Sequence, residues 1–375
     1  MLKGNFGLEV GKIKRLRYTK NMKIALLLSG GVDSSVALAR LIEDGCEVTA
    51  FYLKIWLEDE LAHLGSCPWQ EDLSYVRATC QKLNVPLEII SLQKEYWNEV
   101  VAYTIAQIKA GLTPNPDVMC NQCIKFGAFM RAIGDDYDAI ATGHYAQTVG
   151  ENGLVKLKRA PDPIKDQTYF LAHLSQAQLR RAWFPIGHLH KKQVRELAYA
   201  YDLPTKDRKD SQGICFLGKL KFSEFVRHHV GTNSGNFIEY ETGKIVGRHE
   251  GFWFFTIGQR QGMRLAGGPW YVVAKQPQTN TVYVSRNYHA SDKVRKTFRV
   301  TNFNWISGIA PQDGQFLIKL RHGPGIVSGS MQFDDQGGTV TLQERDQGIA
   351  PGQFAVFYHD DICLGSAVIA QGDVT

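Results

Sequence analysis

The sequence predicts an α/β protein. A doubly wound parallel sheet comes first, then a small β-rich central domain and a C-terminal β-barrel. Three observations carry this. Short apolar runs alternate with helical patterns between Lys23 and Thr142. A glycine turn, Ser29-Gly30-Gly31-Val32-Asp33-Ser34-Ser35, joins the first apolar run to the first helix. From Asn233 onward, helical periodicity gives way to short β-rich runs separated by glycine turns. The division expected is 1–22 as a basic, disordered extension, 23–231 as the α/β domain, 232–290 as the central domain and 291–375 as the barrel.

The elements follow in order. Lys23–Leu28 is a six-residue apolar run, the signature of a buried parallel strand. Val36–Asp44 is helical, with Gly45 as its stop. Glu47–Lys54 is a strand, Gln70–Leu83 a helix and Leu87–Ser91 a strand. Tyr96–Lys109 is a helix ended by Gly111. Pro114 and Pro116 make Asn115–Phe126 a loop. Phe126–Ile133 is a helix, and Ala139–Thr142 a strand closing on Gly143-His144. Asp166–Tyr201 reads as helical throughout. A charged loop, Lys206-Asp207-Arg208-Lys209-Asp210, precedes Ser211–Phe216, and Phe222–Val230 is one more helix. The β-rich runs are Gly251–Ile257, Trp270–Ala274, Thr281–Ser285, Phe298–Trp305, Phe316–Leu320, Thr339–Leu342 and Phe354–Tyr358. Ligands of doubly wound sheets lie beyond the carboxyl ends of the strands, where the glycine turn, Lys54 and Gly143 fall.

Composition excludes several classes. The chain has 375 residues, enough for two or three domains, and 44% hydrophobic content, ordinary for a globular protein. No run of 18 apolar residues exists, so no membrane partner is expected. The net charge of +6 allows a polyanionic partner. Seven cysteines, an odd count, without a secretory signal fit a reducing, cytoplasmic setting in which thiols are free, catalytic or metal-bound. Residues 1–22 are basic and lack the serine richness of a transit peptide.

The glycine turn is built for an anion. Free backbone N–H groups at a helix start face a positive dipole end, and glycine lets a phosphate approach without a Cβ in the way. The pattern matches neither G-x-x-x-x-G-K-[ST] nor G-x-G-x-x-G. S-G-G-V-D-S instead resembles the pyrophosphate loop of the ATP-pyrophosphatases, which release pyrophosphate and transfer AMP.

The second informative stretch is Asn115-Pro116-Asp117-Val118-Met119-Cys120-Asn121-Gln122-Cys123-Ile124-Lys125-Phe126. A cysteine entering a helix start beside a lysine should be partly thiolate, so Cys120 is expected to be reactive, with Asp117 placed to handle a proton. Cys120-x-x-Cys123 is also half of a metal motif. No second pair completes a zinc site, but an iron–sulfur site with Cys215 remains an alternative. Cys215 lies near Lys206, Arg208 and Lys209, again an electropositive setting. Cys46, Cys80 and Cys363 are expected to pack within regular elements, and Cys67 has no assignment.

Together S-G-G-V-D-S-S, N-P-D-V-M-C-N, T-G-H-Y-A, K-D-Q-T-Y-F-L and D-S-Q-G-I-C-F resemble the tRNA-specific 2-thiouridylases, in that family's order and spacing, from about Lys23 to the C-terminus. F-T-I-G-Q-R-Q-G at Phe255–Gly262 is similar to the family's central domain. The resemblance implies that Leu27, Leu28, Ser29, Gly30, Gly31, Val32, Asp33, Ser34 and Gly143 hold ATP, with the backbone of Leu53 near the adenine. It implies that Asn115, Pro116 and Asp117 contact the target uridine, that Cys120 is the nucleophile and that Cys215 carries a persulfide. Lys165, Asp166, Gln167, Arg321 and His322 would touch tRNA. Cys123 departs from the pattern, standing where many members have no thiol.

The implied reaction is ATP- and Mg²⁺-dependent 2-thiolation of the wobble uridine, with a cysteine desulfurase or sulfur-relay protein as donor. AMP transfer turns a poor leaving group, the uridine oxygen, into a good one. The base must be flipped out to reach such a site. Two rivals differ in what they need. Another ATP-pyrophosphatase, such as an amidating synthetase, needs the glycine loop without the thiols. A non-enzymatic RNA-binding protein needs the β domains without Asp33, Cys120 and Cys215.

Overall fold

The first apolar run forms the centre of a five-stranded parallel sheet. In the computed structural model, Lys23–Leu27 lies between Glu47–Lys54 and Ala139–Ala141, with Leu87–Ser91 and Ala182–Trp183 at the two edges. The structure describes residues 14–15, 22–55, 69–210, 221–290, 295–346 and 348–372. Cys67 and Cys215, with most of the basic extension, lie outside the described residues.

Strand order runs outward from Lys23–Leu27 in both directions, so the topological switch point adjoins its carboxyl end. That is where open α/β sheets bind ligands. The helix after it, Val32–Glu43, covers one face with Val36, Ala37, Leu38 and Leu41, all fully buried. Trp69–Leu83 follows on the next crossover.

Two helices contain wide π turns. One runs from Gln93 to Lys109 with its π segment at Trp97–Val101. The other runs from Pro116 to Ile133 with its π segment at Cys120–Ala128. In the second, a Cβ on Gly127 would stand 2.7 Å from the carbonyl oxygen of Gln122, five residues back, so glycine lets the wide turn close. The expected loop at Asn115–Phe126 is therefore helix from Pro116 onward. Pro116 starts it rather than breaking it, because the first helical position needs no N–H. Cys46, expected within a regular element, lies in the connection between Val32–Glu43 and Glu47–Lys54.

Asp166–Tyr201 is not one helical stretch. It forms Thr168–Leu171, Gln176–Arg181 and Lys191–Ala200, with the edge strand Ala182–Trp183 between. Ser175 and Gln178 make a reciprocal cap that starts the second helix, and Pro185 and Gly187 prevent its continuation.

The hairpin Ala146–Glu151 and Leu154–Arg159 was not expected, although Asn152-Gly153 marks its turn with φ of 51° and 78°. It joins the terminal barrel, because Leu157 and Lys158 pair with Cys363 and Ile362. On its other edge Lys14–Arg15, expected outside the fold, pairs with Gly150 and Val149.

The barrel closes with six antiparallel strands: Thr297–Trp305, Gly337–Leu342, Val327–Asp334, Gly314–Lys319, Phe354–His359 and Ile362–Ile369, the last returning to the first. One core cluster contains Cys120, Leu157, Tyr169, Phe354, Val356 and Cys363, so barrel and parallel sheet are packed through shared apolar contacts. The central sheet has the order Ile245–His249, Gly235–Glu239, Thr281–Ser285, Tyr271–Gln276. The run Gly251–Ile257, expected as a strand, holds a single 3₁₀ turn at Phe252–Phe254. Phe252 and Phe255 are the buried pair, a spacing of three that suits a turn and not the alternation of a strand. No helix among the described residues is long and apolar enough to cross a membrane.

Candidate active site

The helix start at the glycine turn comes earlier than the apolar pattern implies. Gly31 is its N-cap and Val32, Asp33 and Ser34 form its first turn, with no side chain capping Gly31. The turn is braced from within: Ser34 Oγ accepts from Ser29 N at 3.2 Å, and Ser35 Oγ donates to the Gly31 carbonyl at 2.9 Å. Leu27 and Leu28 are buried, and Leu28 N–H donates to the Phe51 carbonyl at 2.9 Å, fixing the strand end beneath the loop. Leu53 lies near the carboxyl end of the neighbouring strand.

The three glycines here differ in what they require. Gly30 has φ +77°, and a Cβ there would stand 2.6 Å from the Asp72 carbonyl oxygen, so the fold itself demands glycine. Gly143 lies against the loop, 2.6 Å from Ser34 N by the same measure. Gly31 has φ −85°, and its Cβ position meets only Ser29 Oγ at 3.5 Å, an ordinary contact. Neither backbone nor packing explains glycine at 31.

Asp33 is held by two side chains absent from the sequence-based assignment. Tyr145 Oη donates to Asp33 Oδ1 at 2.8 Å, and Lys191 Nζ approaches the same oxygen at 2.6 Å. Burial, then the Asp33 charge, raises the Tyr145 hydroxyl far above its ordinary range, so it stays a donor. Lys191 also meets Asp210 Oδ1 at 2.8 Å. Asp210 further pairs with Lys165 at 2.7 Å and Arg195 at 2.5 Å. Burial opposes ionisation of Asp210, but hydrogen bonds from Lys165 and Lys191 outweigh it and hold the carboxyl below its usual range. Arg208 donates to the Gly30 carbonyl at 2.7 Å and pairs with Asp72. Tyr145 stood in the T-G-H-Y-A motif and the charged loop was visible. Nothing local marked Lys191, which lies 158 residues from Asp33.

The Pro116–Ile133 helix precedes the parallel strand Ala139–Ala141, so its N-terminus points to the same carboxyl edge as the glycine turn. Asn115 caps it, its side chain accepting from Val118 N at 3.3 Å. Gln353 of the barrel ties this entry down: its amide donates to the Pro114 carbonyl at 3.2 Å and its oxygen lies 3.4 Å from Asn115 Nδ2. Asp117 Oδ1 is buried with no hydrogen-bond partner among the described residues.

Cys120 corrects an expectation. Rather than a half-exposed thiolate in a polar loop, it is a buried thiol inside the helix. Burial pushes it up to about 11; Lys125 acts in the opposite direction, Asp117 and Cys123 add to the rise, and a Tyr96 hydrogen bond lowers it. Cys123 is half-buried and likewise raised to about 11, by burial first and then Glu99. Lys125 also acts on His144, the neighbour of Gly143; burial first, then that lysine, keeps the imidazole neutral. The charge of Lys125 thus acts on both His144, next to Gly143, and Cys120.

Of the five residues assigned to RNA, Asp166 is the clearest departure. It is fully buried, and its carboxylate accepts from Lys319 Nζ at 2.8 Å, Arg159 Nε at 3.2 Å and Thr168 Oγ1 at 2.9 Å. Every direction is taken by the fold, so Asp166 binds the barrel and presents nothing to a ligand. The Gln167 side chain accepts from Tyr145 N–H at 2.9 Å. Lys165 is half-exposed and paired with Asp210, and Arg321 is exposed and paired with Asp346. His322 stacks on Phe170 with ring centroids 4.7 Å apart. Among the described residues, no three His, Cys, Asp or Glu side chains are grouped to hold a metal ion.

Comparison with known proteins agrees along nearly the whole chain. Three family models match: a tRNA methyl transferase HUP domain over residues 22–219, a tRNA methyl transferase PRC-barrel domain over 223–286 and an aminomethyltransferase β-barrel domain over 295–369. The tRNA-specific 2-thiouridylase MnmA of Porphyromonas gingivalis is 45% identical over 361 residues, covering 94% of this chain and 100% of that protein. MnmA 2 of Bacteroides fragilis is 47% identical over 355 residues, 93% of this chain and 100% of its own. MnmA of Parabacteroides distasonis is 45% identical over 354 residues, 93% of this chain and 99% of its own. At this identity and coverage, the chain belongs to the tRNA-specific 2-thiouridylase MnmA family.

Proposed function

We propose that this protein is an ATP-dependent sulfurtransferase that converts the wobble uridine of tRNA anticodons to 2-thiouridine, releasing AMP and pyrophosphate. The observation that carries the nucleotide half is Gly31. It is a glycine with ordinary φ whose Cβ position makes only an ordinary contact, at a helix start on the topological switch point. Phosphate oxygens fit against the first-turn N–H groups there. A Mg²⁺ ion would enter with the triphosphate and neutralise part of its charge.

In the first step the uridine oxygen at position 2 bonds to the α-phosphorus, and the bond to the β-phosphate bridging oxygen breaks. The positive helix end favours the pyrophosphate that leaves. In the second step sulfur bonds to carbon 2, and AMP departs with the former carbonyl oxygen. The outer sulfur of a Cys215 persulfide supplies it. Attack of the Cys120 thiolate on the inner sulfur of Cys215 then frees the thiocarbonyl and leaves a Cys120–Cys215 disulfide, which a thiol reductant resets. Asp117, with a buried Oδ1 that has no hydrogen-bond partner among the described residues, is suited to a base N–H or to the Cys120 proton. Lys125 supplies the nearby positive charge that favours the thiolate once the site is engaged. The persulfide comes from a cysteine desulfurase or a relay protein in the cytoplasm.

Separate cysteine variants test the order of roles. After incubation with a desulfurase and cysteine, Cys215→Ser should carry no persulfide and Cys120→Ser should carry one at Cys215, by mass spectrometry. Neither should make 2-thiouridine, and Cys123→Ser should. Loss of bound iron and activity together in all three variants would replace the persulfide route with an iron–sulfur route.

A further inference from the structure

Lys191 stands out because it meets both edges of the site and has no assigned role. Its ammonium lies 2.6 Å from Asp33 in the first turn of the glycine-loop helix and 2.8 Å from Asp210. It is mostly buried, with 14% of its side chain exposed. Two carboxylates set its place. Asp162 accepts from the backbone N–H of Lys191 at 3.0 Å and of Lys165 at 3.2 Å, while Asp210 takes both ammonium groups. An ammonium has three N–H bonds, and the structure gives this one two partners among the described residues. The Tyr145 ring centroid lies 6.0 Å away, and through Asp33 the ammonium stands at the helix start whose N–H groups no side chain caps among the described residues.

We propose that Lys191 is a phosphate-binding residue of the nucleotide site, donating to the β- and γ-phosphates and to the pyrophosphate that departs, with Asp210 as its counter-ion. This rests on the ATP reading above. The charge arithmetic explains why a second carboxylate is present. A lysine paired with Asp33 alone would hold that carboxylate as a closed ion pair. Asp210 provides an alternative partner for the same ammonium, and Lys165 and Arg195 keep Asp210 ionised in turn. When Lys191 turns toward an incoming phosphate, Asp210 keeps Lys165 and Arg195, and Asp33 keeps the Tyr145 hydroxyl.

Removing Lys191 and removing the Asp210 charge have opposite consequences for an anion. Lys191→Met keeps the apolar stem and deletes the charge; affinity for pyrophosphate and for a non-hydrolysable ATP analogue should fall by about 10- to 100-fold, the range for losing one charged donor at a phosphate. Asp210→Asn keeps the shape and removes a negative charge beside the same anion; pyrophosphate affinity should rise about threefold or more. Lys191→Arg should recover part of the binding lost in Lys191→Met. In the two Lys191 variants tRNA affinity without nucleotide should change less than twofold.

The measurement is calorimetric titration of the full chain with pyrophosphate and with the ATP analogue, beside a thermal melt and a tRNA binding curve. Weakened anion binding in both Lys191→Met and Asp210→Asn would overturn the proposal and leave the cluster a purely structural one. Unchanged pyrophosphate affinity in Lys191→Met would also overturn it. If Lys191→Met does not fold, the opposite signs expected of Lys191→Arg, weaker than wild type, and Asp210→Asn, tighter, decide the question. Failure of the wild-type chain to bind pyrophosphate or ATP would instead contradict the nucleotide reading itself.

Discussion

Cys120 should be a slow nucleophile in the protein without substrate, although it is the residue placed to react. The perturbation is pH, and its magnitude follows from the burial of the thiol. Burial lifts Cys120 from an ordinary 9.0 to about 11, with Lys125 opposing and Asp117 adding to the rise. Two units lower the thiolate fraction about 100-fold at pH 8, from roughly one in ten to roughly one in a thousand. The assay is competitive alkylation with heavy and light iodoacetamide between pH 7 and 10, read peptide by peptide. The Cys120 rate should be at least about 100-fold below that of a free peptide thiol at pH 8, and should rise about tenfold per pH unit without a plateau. The raised value also has a stability consequence. A thiol whose folded pKa lies above its unfolded one contributes stability that is present below about pH 9 and is lost as pH climbs through about 11. Asp117→Asn, which removes a charge acting against the thiolate, should speed labelling, and Lys125→Met should slow it further. A plateau below pH 9, or labelling at the free-thiol rate, would refute the burial argument.

Gly31→Ala should leave unfolding free energy within about 1 kcal/mol of wild type, since its Cβ makes only an ordinary contact with Ser29 Oγ, yet cut ATP affinity about tenfold or more. Gly30→Ala should instead destabilise the fold by at least about 1 kcal/mol, because its φ is +77° and the Asp72 carbonyl is in the way; urea unfolding distinguishes the two. Lys319→Met should cost about 3 kcal/mol in the same assay by leaving the buried Asp166 with Arg159 as its one remaining cation among the described residues, and Lys319→Met with Asp166→Asn should cost less than the sum of the single changes. Replacing Lys165 or Arg321 by Ala should each lower the slope of log affinity for tRNA against log salt by about 1, with ATP affinity kept; an unchanged slope in both would remove that surface from the RNA site.

What the sequence made legible was local. The glycine turn is a contiguous strand–turn–helix signal, so its place at the centre of a parallel sheet follows from neighbours along the chain. The barrel strands were visible for the same reason, except Val327–Asp334 and Ile362–Ile369, whose serines and glycines dilute the β pattern. Asn152-Gly153 was a readable hairpin signal, but the stretch between Ala139–Thr142 and Asp166–Tyr201 received no element in the sequence reading. What stayed hidden was set by distant partners. Cys120 sits in a polar string, N-P-D-V-M-C-N, and only the packing of Tyr96 and the barrel around it makes it a buried thiol. Asp166 looks like an exposed recognition residue until Lys319, 153 residues on, meets it in the core. Lys191 carried no signal at all, because a lysine at the start of an amphipathic helix is ordinary until the fold sets it against Asp33.

The claim that ATP activates a tRNA uridine for thiolation is tested most directly by stoichiometry. The purified chain is supplied with a desulfurase, cysteine, ATP and an unmodified tRNA bearing a wobble uridine, and pyrophosphate and 2-thiouridine are followed together. The account predicts one pyrophosphate per 2-thiouridine, no pyrophosphate without tRNA, and no thiolated base without ATP. With the sulfur donor omitted, pyrophosphate release should stop near one per enzyme. Continuous pyrophosphate release in the absence of tRNA, or 2-thiouridine formed without ATP, would contradict it.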